Sequence, residues 1–222
     1  MTMHTRLALP VVLLGFLAAA GGSIQAGSDA PRRQATPQRM ANAPSPAALS
    51  LRQEMRKLWS DHVIWTRDYI VAAAANHPSR PSAAARLLKN QEDIGAAVAA
   101  YYGKPAGDRL TTLLKEHITI AVDLIEAAKA KDDAKYKSLD GRWQQNGDEI
   151  AAFLSGANPH WPKATLAGMM KTHLSTTTRE VVARLNGKWD EDVAAFDEVY
   201  AHILAMADAL SDGIIKQFPE KF

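Results

Sequence analysis

Three histidines stand in equivalent surroundings along this chain. Leu58 to Ala74 (LWSDHVIWTRDYIVAAA), Leu113 to Lys129 (LLKEHITIAVDLIEAAK) and Met169 to Leu185 (MMKTHLSTTTREVVARL) align without a gap. Each opens on two large apolar residues, passes two mostly polar ones, and reaches a histidine followed by a branched apolar residue. His62, His117 and His173 therefore recur at intervals of about 55 residues, the mark of an internal repeat. On a helix, His117 falls in the middle of the face formed by Leu110, Leu113, Leu114, Ile118, Ile120, Ala121, Leu124 and Ile125, with Lys115, Thr119, Val122, Asp123 and Glu126 mostly opposite. His62 sits likewise among Leu58, Trp59, Val63, Trp65, Thr66, Tyr69 and Ile70. A buried imidazole needs a hydrogen-bond partner or a ligand. Three histidines are the protein ligand set of a catalytic zinc with one open position, and imidazole suits copper, iron and nickel as well, so the cofactor implied is a divalent transition metal. The structural alternative is a duplicated contact in which each ring bonds a polar neighbour such as Asn90 or Asn146. The two differ in geometry: rings sharing an ion converge to about 5 Å, whereas rings in an open stack of hairpins stay about 10 Å apart.

The third copy is the most polar. Its inward face carries His173, Thr176, Thr177, Glu180 and Arg184, where the second copy has His117, Ile120, Ala121, Leu124 and Ala128. Glu180 and Arg184, four apart, are expected to pair along the helix. Thr66, Arg67 and His202 are candidate companions, and together these residues form the expected ligand-binding site.

Other chemistries find no footing. The chain has no cysteine, which removes thiol catalysis, iron–sulfur clusters, cysteine zinc sites, disulfides and a lipoprotein anchor. Asp61-His62 and Glu116-His117 are not dyads, because adjacent helical side chains diverge by about 100°. Phosphate-loop, dinucleotide and G-x-S-x-G motifs are missing, as are the paired H-x-x-x-H and E-x-x-H spacings of helical di-iron sites. No catalytic residue is assigned.

The elements that position these residues are all helical. A Ser45-Pro46 cap starts a helix that His77-Pro78 stops near Asn76, and Pro81 opens a second one reaching Tyr101-Tyr102-Gly103. A third follows Lys104-Pro105 to about Lys131. Asp132 caps a fourth that ends near Ser155, before Gly156-Ala157-Asn158-Pro159. Pro162 opens a fifth, closed by Asn186-Gly187. The sixth begins near Trp189-Asp190, with Asp190, Glu191 and Asp192 at its positive end, and stops before Pro219. Its seam is Val193, Phe196, Tyr200, Ile203, Ala207, Leu210 and Ile214. Even-numbered helices repeat too: Arg86 to Ile94 matches Arg142 to Ile150, with Asn90 against Asn146. The expected fold is an all-α six-helix bundle over 45–222, built from three hairpins of about 55 residues. Trp59, Trp65, Trp143 and Trp189 are expected in or near the core, and Trp161 at a loop corner.

Composition agrees with one exported domain. The 222 residues are 47% apolar and 23% charged, with a formal charge of +2, which gives nucleic acid no electrostatic purchase. Residues 1–26 read as a signal peptide: Arg6, an apolar run from Leu7 to Ala20, and a cleavage site at Ile24-Gln25-Ala26, with Ala18-Ala19-Ala20 as the second choice and an uncleaved N-terminal anchor as the alternative. That run is short for a membrane span. Residues 27–44, rich in Pro, Ala and polar residues, read as a disordered linker. The mature chain is expected to be periplasmic or secreted, without a transmembrane span.

From Leu58 to Phe222 the chain resembles a family of small, exported, all-helical bacterial proteins. The residues that carry the likeness are Leu58-Trp59 with His62 and Trp65-Thr66-Arg67, Asn90-Gln91 with Asp93-Ile94-Gly95, Tyr101-Tyr102-Gly103, Glu116-His117-Ile118, and Met206-Ala207-Asp208 running to Lys216-Gln217-Phe218-Pro219. Some similar sequences bear a glycosyltransferase label, but sugar-nucleotide folds need an α/β sheet that this pattern does not supply. Function is thus expected in one of three forms: an envelope binding or accessory protein for a small ligand, a histidine-based metalloprotein, or a structural bundle docking an envelope protein.

Overall fold

The computed structural model describes residues 44–222; the expected leader, and the linker apart from Pro44, lie outside the described residues. Six helices follow one another: α1 (Pro46–Ala74), α2 (Arg80–Tyr102), α3 (Lys104–Ala130), α4 (Asp133–Ala157), α5 (Lys163–Leu185) and α6 (Trp189–Gln217), with a 3-10 turn at Pro219–Lys221. The described residues contain no strand. Local chemistry sets the boundaries. The Ser45 hydroxyl accepts from the Ala48 amide at 3.1 Å with Pro46 in the first turn, and the Asp132 carboxylate accepts from the Lys135 amide at 3.0 Å. Gly187, at φ +68°, follows α5 where the chain must turn left-handed.

Each helix packs against the next, and α6 returns against α1, so the ring of six closes; α1 also meets α3 and α5. The arrangement is therefore a closed bundle, not an open stack. Its core joins Met55, Trp59 and Val63 of α1 to Ile94, Leu113, Ile150, Leu174 and Ile203, one or more from every other helix. Each such side chain, fully buried, contributes about 1.5–3 kcal/mol. Helices α2 and α3 approach closely through their glycines. A Cβ at Gly107 would stand 2.5 Å from the Gly95 carbonyl oxygen and 2.6 Å from Ala99 Cβ. Only glycine fits there.

Three expectations about aromatic and apolar placement change. Trp161 is buried rather than a loop corner, its ring 5.6 Å from that of Tyr102. Trp189 is 59% exposed, with the Arg184 guanidinium 5.0 Å over its ring. The seam of α6 also shifts by one residue at its start: Val193 is 54% exposed, and Asp192 is buried instead. The reason lies in the ion pairs described below.

Candidate functional site

The helices α1, α3 and α5 run in the same direction and bring their histidines together in the core. Ring centroids of His62 and His173 are 5.6 Å apart, and those of His117 and His173 are 6.0 Å apart. His173 is the shared neighbour. All three are buried. The indoles of Trp59 and Trp143 flank them, at 5.8 Å from His62 and 5.2 Å from His117.

Two cavities lie on either side of this histidine layer, and corresponding residues of the three helices line them. Three residues before each histidine come Trp59, Leu114 and Met170, which line one cavity of about 20 Å³ together with the three rings. Four residues after come Thr66, Ala121 and Thr177, which line the other, of about 30 Å³. Either volume admits a water molecule or an ion. The second reaches outward past Tyr136 and Thr178 to the exposed Val182.

Hydrogen bonding distinguishes the rings. Asn146 donates its amide to the Leu113 carbonyl at 3.1 Å, which turns its Oδ1 toward His117 Nδ1 at 2.8 Å. His117 therefore carries its proton on Nδ1 and leaves Nε2 bare. In α2, Asn90 donates to the Leu58 carbonyl at 3.0 Å, and the neighbouring Gln91 places Nε2 at 3.3 Å from His62 Nδ1. Asn146 is thus the polar partner the sequence suggested for His117, whereas Gln91 takes that place beside His62. His173 Nδ1, Thr177 Oγ1 and Gln91 Oε1 are buried without a partner. Each costs about 1–3 kcal/mol unless something fills the gap.

Burial governs titration. It pushes His62 down to about 3, with His117 adding to the effect, and His117 down to about 4 against the pull of Asn146. His173 lies well below the ordinary imidazole value, through burial first and its histidine neighbours second. All three are neutral at pH 7, the form that ligates metals. Among the described residues no group of three or more His, Asp or Glu side chains already stands in metal-ligating position. Rings on one ion at 2.0–2.1 Å bonds have centroids about 5 Å apart, so the His62–His173 and His117–His173 pairs must each close by about an ångström or less.

The polar face of α5 is engaged differently from expectation. Glu180 does not pair with Arg184. Its carboxylate accepts from Arg67 of α1 at 2.7 Å, and the same guanidinium grips Asp192 of α6 through two bonds of 2.7 and 2.8 Å. Arg184 donates to Asp192 at 3.2 Å. Glu180 and Asp192 are each 1% exposed. Burial pushes Glu180 up to about 7 although Arg67 opposes it. Burial would raise Asp192 too, but its bonds to Arg67 and the charge of Arg184 outweigh that and hold it below the usual carboxylate value. The remaining expected residues make local bonds: Thr66 to the His62 carbonyl at 2.7 Å, Thr176 to the Thr172 and His173 carbonyls, and His202 Nε2 to the Met169 carbonyl at 2.9 Å. The expected ligand-binding residues thus do not form one site, and Thr176 and His202 are taken up by backbone carbonyls. His173, Thr66 and Thr177 face the histidine cavities, while Arg67, Glu180 and Arg184 tie α1, α5 and α6 together.

Sequence reading passed over Gln91, Asp192 and the methionines. Asp192 looked like one of three acids at a helix start; its place one turn before Phe196, on the buried side, was the available sign. The chain matches no protein-family model, no curated protein and no solved structure.

Proposed function

We propose that this is an exported envelope protein that binds one transition-metal ion between His62, His117 and His173. The observation that carries it is the meeting of three neutral, buried imidazoles from three parallel helices, one with a partnerless Nδ1, beside a cavity of ion size. An ion bound through Nε2 of His117 leaves that ring's proton on Nδ1, where an outer oxygen must accept it, whereas His173 offers its partnerless Nδ1 itself. Asn146 Oδ1 accepts the His117 proton as it stands. Beside His62 the Gln91 amide is held as a donor by the Leu87 carbonyl at 2.8 Å, with its Nε2 3.3 Å from His62 Nδ1.

The proposal includes the three-hairpin repeat, with α1–α2, α3–α4 and α5–α6 as its units. Supporting it are the matching bonds from Asn90 to the Leu58 carbonyl and from Asn146 to the Leu113 carbonyl, and the layers of corresponding residues on each side of the histidines. No helix among the described residues is long and apolar enough to cross a membrane. In the third unit His202 bonds back to α5, and the Arg67 network replaces an apolar contact.

Cobalt(II) titration tests the site. A saturable visible spectrum of one cobalt per chain, displaced by zinc, is expected for the native protein and not for His173→Leu. That variant removes a partnerless polar atom, so its metal-free form should be as stable as the parent or up to about 2 kcal/mol more stable. An unaltered cobalt spectrum in His173→Leu would refute the site.

A further inference from the structure

The cavity on the N-terminal side of the histidine layer is rich in sulfur. Of the seven methionines in the chain, Met169, Met170 and Met206 all line this one cavity, together with the three imidazoles. Met170 and Met206 are buried, whereas Met169 is only partly so. Met170 occupies the position three before His173 that Trp59 and Leu114 fill in α1 and α3, which sets it in the layer directly next to the rings. Met206 reaches the same cavity from α6.

Thioethers are soft donors. Together with imidazole, in a chain without cysteine, they discriminate for copper(I) over zinc and over hard cations, which gain little from sulfur. A thioether is also neutral, as are the buried imidazoles, so the site would carry only the single charge of a monovalent ion into the core. A divalent ion costs far more to bury without a carboxylate, and no carboxylate lines this cavity.

We infer that the metal held by this protein is copper(I), with the Met170 thioether joining the imidazoles and Met206 beside it as the second sulfur. This rests on the three-histidine site proposed above. Simple core packing is the competing role for these methionines, since methionine fills irregular gaps well.

The test uses the protein as its host processes it, with copper(I) supplied under reducing, oxygen-free conditions and a chromophoric chelator as competitor. Zinc binding is measured in parallel. Expected is one copper(I) per chain with both nitrogen and sulfur neighbours in X-ray absorption. Met170→Leu/Met206→Leu, which conserves volume and fold, should lose the sulfur neighbours and bind copper(I) at least tenfold more weakly, with zinc affinity within about threefold of the parent. Met169→Leu should change neither. Copper(I) bound through nitrogen alone, or with equal affinity in the double variant, would overturn the sulfur assignment and leave the histidine site standing. Failure of both copper(I) and zinc to bind would overturn both.

Discussion

A buried side chain with no hydrogen-bond partner either destabilises the fold or waits for something. His173 Nδ1 and Thr177 Oγ1 are two such atoms one helical turn apart, and both residues line the same cavity. Around Arg67 the reverse holds, because every charge there is matched. Two carboxylates share two guanidiniums, and Phe196 covers Arg67 at 4.9 Å. Asp192→Asn should cost about 3 kcal/mol, since it leaves the mostly buried Arg67 without its two-point partner; chemical denaturation would measure this. Glu180→Gln should behave oppositely. The folded pKa of Glu180 is raised to about 7, so its contribution is fully present at low pH and is lost as pH rises through 7. Replacing it should remove the fall in stability that Glu180 causes between about pH 4.5 and 7 and leave the variant no less stable than the parent at pH 8.

At the scale of elements, periodicity and capping residues were enough to place all six helices within a few positions, because Ser45, Asp132, Gly187 and the prolines act locally. The histidines were legible for the same reason, since three matching segments put them on three matching faces. What could not be read was anything decided between helices. Val193 looked apolar and therefore inward, yet α6 turns so that Asp192 can meet Arg67, which lies 125 residues earlier. Gln91 rather than Asn90 reaches His62, because Asn90 is spent on the Leu58 carbonyl. The contact of α2 with α3 through Gly95 and Gly107 likewise depends on how two faces meet. Gly107→Ala should cost about 1–3 kcal/mol by forcing that pair apart, seen as a lowered thermal midpoint with unchanged helical circular dichroism at low temperature.

For the molecule as a whole, the closed ring makes acid its main vulnerability. The folded pKa values of His62 and His117 are depressed to about 3 and about 4, and that of His173 lies well below normal. Their neutral burial is favourable above pH 6.5 and is lost as pH falls toward those values, because the unfolded chain takes up the protons. Three such groups, with Glu180 opposing, should make stability fall by on the order of 3 kcal/mol per pH unit below about pH 6. His173→Leu should reduce that slope by about 1.4 kcal/mol per unit in denaturant titrations across pH. Bound metal should hold the rings deprotonated and move the acid transition to lower pH.

The most direct measurement is the metal content of the protein purified from its host without a tag, beside a His62→Gln/His117→Gln/His173→Leu variant prepared in the same way. One transition-metal ion per chain in the native protein and none in the folded variant is the predicted result. A native protein that contains no metal, and takes up neither copper nor zinc when they are offered, would contradict the account and leave the three histidines as packing.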